Sequence, residues 1–446
     1  MSDLLSIGAT GVRAYQTALT TTSENIANAG TVGYSRRTTV LNEVAAPSNS
    51  TTRVPNGLGV VVGGVTRAAD LYRSSEVRTA GSDLARSEAG ITWLDRIDGA
   101  LSGNKLGDRL TAFFTSTKAI AADPSALAPR ATTLEAAQSV ATAFSATGAA
   151  LSAAASDLDA SADAATTQLN GLSAALAKVN SGLSRAQDGS AANSTLLDQR
   201  DQILESMSAI TDVSVSFDAI GRATVRGGGD GGPLLVQGVE SATVTYVRND
   251  EGAVSYAAQF GNTSSALSPS GGALAGYTDG AQKIAAAQSQ LSDQARAFAE
   301  GVNAVQAAGV DLNGDPGAPI FAIGDPASNL TLVLNDPRGI AAAAPGAGTR
   351  DNSNLARFDT LRATGNVEGA ITDMTASNGA ALAAKRNVAE AQGAIRDTAV
   401  AARDSVSGVN IDEEAVDLMR FQQAYQASSR VIQVARETLQ SILDIR

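Results

Sequence analysis

Two stretches at opposite ends of the chain decide the fold: 4-LLSIGATGVRAYQTALTTTSENI-26 and 411-IDEEAVDLMRFQQAYQASSRVIQVARETLQSILDI-445. In the first, Leu5, Gly8, Val12, Tyr15, Leu19, Thr22 and Ile26 fall alternately three and four residues apart, which places them on one face of a helix. In the second, Leu418, Phe421, Tyr425, Ser428, Ile432, Ala435, Leu439 and Ile442 keep the same rhythm. A mean step of about 3.5 residues is the seam spacing of a coiled coil. Helices of this length run roughly 33–38 Å, and small residues at Gly8, Ala18, Ser428 and Ala435 let two backbones approach closely. The ends are therefore expected to pair with each other or with a neighbour. Their large apolar residues (Leu5, Val12, Tyr15, Leu19, Ile26, Leu418, Phe421, Tyr425, Ile432, Leu439 and Ile442) are the candidate assembly interface.

Between the ends the pattern is mostly helical. A heptad-like set, Val77, Ala80, Leu84, Ile91, Leu94 and Leu101, follows Asp70, and a shorter helix over 105–122 stops at Asp123-Pro124. Pro129 then opens the longest helical stretch. Phe144, Leu151, Leu158, Ala165, Leu172 and Val179 form one seven-residue row within it, and Ala155, Ala162, Leu169, Leu176 and Leu183 form another. Asn193 is the expected cap of a helix to Ile210. From about 211 to 262 alternating runs such as Val213-Val215-Phe217 and Val254-Tyr256-Ala258-Phe260, separated by glycine clusters, predict a small antiparallel β-domain. Helix returns over 273–308, a hairpin is expected at 319–335, and an alanine-rich helix over 375–405.

The expected fold is thus mainly α with a β-rich insertion, a long helical bundle or coiled-coil rod whose N- and C-terminal parts pair, built from discontinuous domains. Residues 1–40 plus 407–446 form the terminal core, 41–210 plus 265–406 the rod, and 211–264 the small β-rich domain.

Composition narrows the function. The 446 residues carry a formal net charge of −12, the wrong sign for a nucleic-acid binder or for an anionic membrane surface. No uninterrupted apolar stretch is long enough to span a membrane, and the start lacks the basic segment of a cleavable signal peptide. Histidine and cysteine are both absent, which removes cysteine nucleophiles, Ser-His-Asp triads, the usual zinc sites and disulfides. Gly57, Gly59 and Gly63 are spaced loosely like a phosphate cradle but lack a lysine and a clear following helix. Residues 311–317 open like a calcium loop, but Pro316 and Ala322 stand where glycine and glutamate belong, so a surface turn is expected. Asp412, Glu413 and Glu414 follow Asn410 at the start of the last helix, where capping and the helix dipole account for them without metal or catalysis. The reading assigns no catalytic, cofactor or metal site.

The segment after the first helix, Glu24-Asn25-Ile26-Ala27-Asn28-Ala29-Gly30-Thr31-Val32-Gly33-Tyr34-Ser35-Arg36, resembles the N-I-A-N-x-x-T-x-G-Y-S-R signature of the bacterial flagellar rod, hook and hook-associated proteins. The run Gly408-Val409-Asn410-Ile411-Asp412-Glu413-Glu414, with Gln422-Gln423-Ala424-Tyr425-Gln426-Ala427, is similar to the ending of the hook-associated members. Pieces at 196–201, 309–314 and 335–341 are also similar to them. The motif residues are Asn25, Asn28, Thr31, Gly33, Tyr34, Ser35, Arg36, Asn410, Asp412, Glu413, Glu414, Gln422 and Gln423. The resemblance implies an exported structural protein of the hook–filament junction, extracellular, with terminal helices in an inner core layer. The partners it implies are copies of itself in a ring, the hook protein, the next junction protein toward the filament, and an export chaperone at the C-terminal part. Another axial protein (hook or distal rod), a coiled-coil signalling protein and a carboxylate enzyme are the alternatives; the last would need a converging acidic pair that the sequence does not display.

Overall fold

The computed structural model describes residues 2–44, 59–249 and 251–444. Helix α1 (Ser2–Asn28) carries the first stripe, and the chain then turns at Ala29-Gly30. Strands β1 (Arg37–Glu43) and β2 (Val60–Arg67) form an antiparallel hairpin that sets Arg37 opposite Arg67, with a bulge at Val40/Leu41. The polar run RTTVLNE gives no apolar alternation, which is why β1 is not legible beforehand. The expected domain boundary at residue 40 falls inside this strand. Gly57 and Leu58 of the glycine-rich stretch lie outside the described residues; Gly59 and Gly63 belong to the hairpin, with Gly59 packed against α1 at Ile7 and Thr10.

Helix α2 (Leu71–Gly103) is capped by Asp70, whose carboxylate accepts from the Tyr72 and Arg73 amides. After α3 (Leu106–Ile120), helix α4 (Leu127–Leu183) runs 57 residues, about 85 Å at the usual rise. Both seven-residue rows face inward along most of it: Phe144, Leu151, Leu158, Leu169 and Leu176 are fully buried. Helix α5 (Ala191–Ile210) starts before Asn193, so Ser190 is its cap and receives the Asn193 amide at 3.1 Å, correcting the expected cap.

The β-rich part contains two antiparallel sheets. One holds β3 (Val213–Phe217), β4 (Ala223–Gly227), β5 (Leu234–Gln237) and β6 (Glu240–Ser241); the other holds β7 (Thr243–Arg248), β8 (Val254–Phe260) and β9 (Thr263–Leu267), which passes the expected boundary at 264. Their inward residues Val225, Leu235, Val236, Val244, Tyr256 and Leu267 pack on Leu169, Leu176, Leu204 and Met207 of α4 and α5. Two asparagines of α4 latch the sheets by their backbone. Asn180 donates to the carbonyls of Ala223 and Gly238, both at 2.8 Å, and accepts the Ala223 amide at 2.9 Å. Asn170 exchanges the same kind of pair with Val244. A side-chain amide presents the donor and acceptor of a backbone unit, so each asparagine extends a strand pattern onto a helix.

Helix α6 (Gly272–Ala307) returns along the bundle, followed by the hairpin β10 (Phe321–Ile323) and β11 (Leu330–Leu332). The Asp311 carboxylate accepts the Asn313 and Asp315 amides and closes a surface turn. Helix α7 (Ala356–Gly365) precedes α8 (Val367–Ser407), which begins eight residues before the expected start because Val367 and Ile371 are core residues. Helix α9 (Ile411–Asp444) ends the described chain.

Aromatic residues are scarce, yet six of the nine phenylalanines gather in one cluster of the bundle. Phe113 meets Phe114, Phe298, Phe321 and Phe358 with ring centroids 5.4, 5.4, 6.3 and 6.1 Å away. Three of these contacts are edge-on and that to Phe321 is tilted, and such geometries add to the burial of each ring. The substitution Phe298→Ala is expected to cost about 3–5 kcal/mol in denaturant unfolding followed by helical circular dichroism.

Candidate assembly surface and its joint

The chain ends do pair, as an antiparallel stalk of α1 and α9. Gly8 lies against Ile432 and Gly11 against Ser428: a Cβ at either glycine would come within 2.6 Å of Ile432 Cγ1 or 2.7 Å of Ser428 Oγ. Farther along, the Tyr15 and Phe421 rings stand 6.5 Å apart. The buried line on α1 is not the expected row of large residues, however. Gly8, Gly11, Ala14, Ala18, Thr21, Thr22 and Asn25 are buried, while Leu5, Val12, Tyr15, Leu19 and Ile26 are half-buried at the rim. The cause is a second neighbour. The β1–β2 hairpin packs on the other flank of α1, with Thr39 donating to Thr21 at 2.9 Å, so α1 must be thin on two sides. On α9, Leu418, Phe421, Tyr425 and Ile432 are half-buried against α1, whereas Leu439 and Ile442 are exposed. The antiparallel register accounts for this: with Gly8 opposite Ile432, α1 runs out before α9 does.

A second set of apolar residues on α9, Val416, Met419, Val431 and Val434, is exposed. Leu4, Gln423, Val431, Val434 and Ala435 line a shallow groove of about 550 Å³. Gln422 is exposed on the same helix.

The stalk joins the bundle through the signature residues. Asn25 is 1% exposed and uses its whole amide: it donates to the Arg37 carbonyl (2.8 Å) and to Glu414 Oε2 (3.0 Å), and accepts from the Tyr34 hydroxyl (2.9 Å) and the Arg37 amide (3.0 Å). Glu414 is 2% exposed; its other oxygen takes Arg36 Nε at 2.7 Å. Arg36 also faces Glu413 at 3.5 Å and Asp417 at 3.8 Å. Its backbone ties two further segments: the amide donates to the Ser407 carbonyl and the carbonyl accepts the Ala68 amide, each at 2.8 Å.

Neighbouring signature residues shape the loop. Asn28 donates to Glu24 O and receives the Thr31 hydroxyl. Gly33 has φ +77°, a backbone that disfavours any other residue, and a Cβ there would displace the Gln202 side chain, which donates to Val32 O at 2.7 Å. Ser35 is buried. Arg37 lies over the Tyr34 ring, 4.9 Å from its centroid, and bonds Thr195 and Asp198; Arg67 bonds Asp198 as well, at 2.6 Å.

The acidic start of α9 therefore does more than cap. Asn410 does cap, accepting the Asp412 amide at 3.0 Å. Glu413 extends to Arg36 instead of closing a capping box, and Glu414 is the buried anchor between α1 and α9. Sequence offers opposite charges at Arg36 and Glu414 but no means of pairing residues this far apart in the chain. Burial is the main cause that pushes the Tyr34 phenol up to about 12; the Arg37 charge opposes it and Glu24, Asp198 and Glu414 add to it, so the phenol stays a donor to Asn25.

A stalk made from both chain ends, fixed to a helical rod by a buried ionic joint, is the architecture of a structural protein. A family model described as "Flagellar hook-associated protein FlgK helical domain" matches residues 93–321, and one described as "Flagellar basal body rod FlgEFG protein C-terminal" matches residues 403–445. The flagellar hook-associated protein 1 of Escherichia coli (strain K12) is 25% identical over the whole of both chains. Its counterpart in Salmonella typhimurium is 29% identical over 73% of this chain and 60% of its own length, and that of Bacillus subtilis 23% over 97% and 96%. The structure of the flagellar hook junction protein FlgK from Burkholderia pseudomallei resembles 56% of this chain and 47% of its own, with TM-score 0.50 and 24% identity, a likeness of fold. The chain belongs to the FlgK family of flagellar hook-associated proteins. It is a structural component of the bacterial flagellum and not an enzyme.

Glu414→Ala takes from Arg36 its closest carboxylate and from the buried Asn25 amide one of its two acceptors, leaving Arg36 to Glu413 and Asp417 and Asn25 to the Arg37 carbonyl, and is expected to cost about 2–3 kcal/mol, read as loss of amide-exchange protection in α1 and α9 with α4 unchanged. The Tyr34 contribution is complete below the unfolded tyrosine pKa near 10 and is lost as pH rises through about 12, because the unfolded phenol ionises first. Thermal unfolding across that window should show a steeper loss in wild type than in Tyr34→Phe.

Proposed function

We propose that this chain is a structural subunit of the hook–filament junction, exported to the outside of the cell and assembled as a ring of copies between the hook protein and the next junction protein. The observation that carries the reading is on α9: α1 covers one side, and Val416, Met419, Val431 and Val434 remain exposed. Exposed apolar stripes of this length are characteristic of surfaces that other chains cover. In this reading copies of the stalk pack side by side, with Leu439 and Ile442 in the overhang reaching a neighbour. The half-buried Leu5, Val12, Leu19 and Ile26 supply the rim on α1.

In this reading the terminal stalk serves assembly, the helical rod spaces it from the outside, and the small β-rich part, which runs through β9, forms the outer surface. The same C-terminal stripe is what an export chaperone would shield before assembly, since α9 presents more apolar surface than its own chain covers. No helix among the described residues is long and apolar enough to cross a membrane.

A hook-only strain carrying Val434→Asp or Leu439→Asp should secrete a folded protein but fail to form filaments, because each substitution puts a charge into a surface that assembly desolvates. Normal filaments by electron microscopy would refute the interface. A filament defect in a variant whose monomer has also lost its helical content would instead assign these residues to folding.

A further inference from the structure

Behind the signature loop lies a polar cavity of about 760 Å³, enclosed by residues 29–36, α2, α5, α8 and the 405–410 linker. Five guanidinium groups line it, those of Arg36, Arg67, Arg78, Arg396 and Arg403, together with five carboxylates. Each carboxylate is already engaged. Asp201 binds Arg67 and Arg200; Glu205 and Asp404 bind Arg403 at 2.9 and 3.0 Å; Glu413 faces Arg36; and Asp70 caps α2. Among the cations, Arg36, Arg67 and Arg403 are paired within these sets, and Arg396 pairs with Asp397 at 3.3 Å.

Arg78 is the remaining charge. It is 8% exposed, and among the described residues its side chain makes no hydrogen bond and no ion pair. Asp201 and Glu205 attract it from α5 while Arg200 repels it, and burial works against its charge. A buried guanidinium without a partner costs several kcal/mol, and its planar fork of donors matches a carboxylate or a phosphate.

We infer that this cavity is an oxyanion site, in which Arg78 takes a carboxylate or phosphate group that enters between α2, α5 and α8. Two sources share that chemistry: a free anion from solution, and an Asp or Glu side chain of a second copy of the chain. Because the cavity opens beside the signature loop at the foot of the stalk, occupation would brace the joint by adding a tie between α2 and the linkers that meet there.

The test compares the purified full chain in inorganic phosphate and in sodium chloride of equal ionic strength. Phosphate should raise the thermal midpoint of wild type, and Arg78→Gln should lose that shift. No phosphate-specific shift in wild type, or an equal shift in both proteins, would overturn the site. Should Arg78→Gln not fold, the wild type alone decides: phosphate should slow phenylglyoxal modification at Arg78, read by peptide mass spectrometry, and equal rates in both salts overturn the proposal. Self-association separates the sources. Phosphate weakening association of wild type but not of Arg78→Gln identifies the neighbour's carboxylate; association unaffected alongside the thermal shift identifies a free anion. Only this last comparison rests on the junction reading, so the two can fail separately.

Discussion

The joint between Glu414 and the pair Arg36–Asn25 is the interaction on which the architecture depends. A carboxylate this deeply buried is tolerable only when both oxygens are held, and here one side chain from the loop and one from α1 hold them. Removing the anchor would leave Arg36 with only the more distant Glu413 and Asp417, and one buried amide hydrogen of Asn25 without its acceptor. The joint therefore specifies one geometry of α1 against α9 more than it adds stability, since desolvation offsets much of the Coulombic gain. The same loop reaches the bundle through Arg37 and Gln202, so stalk and rod share one polar core.

Around that joint, the thinness of α1 follows from having two neighbours. Glycine, alanine and threonine let both α9 and the β1–β2 hairpin come close, and the larger residues are left at the rim. This gives up apolar burial inside the subunit. It also leaves the rim residues and the exposed apolar residues of α9 as surface that only another chain can bury, in keeping with a subunit of a larger axial assembly.

Much of this was legible in the sequence. Seven-residue rows predicted the long α4, the glycine-separated alternations predicted the β-rich part, and the three-four rhythm at both ends predicted the stalk. What could not be read falls into two kinds. Strand β1 and helix α7 lack apolar periodicity, and tertiary contacts rather than local pattern create them. The pairing of Arg36 with Glu414 and the latching by Asn170 and Asn180 join residues whose types are common everywhere; their partners are fixed by the folded topology. On α1 the expected small positions Gly8, Ala18 and Thr22 are buried, while the large residues of the stripe lie at the rim because the helix has two partners rather than one.

The Asn25–Glu414 bond spans 389 positions of chain. Closing so large a loop from an unfolded chain carries an entropy cost of about 5 kcal/mol on a (3/2)RT ln n estimate, more than one such contact returns. Once the bundle has formed, Arg37, Asp198 and the end of α8 already hold the two strands of chain within reach, and the effective loop shrinks to the lengths of the linkers. On this accounting closing the stalk is least costly after the rod has formed. The pairing of the chain's two ends is thereby conditional on the rod between them.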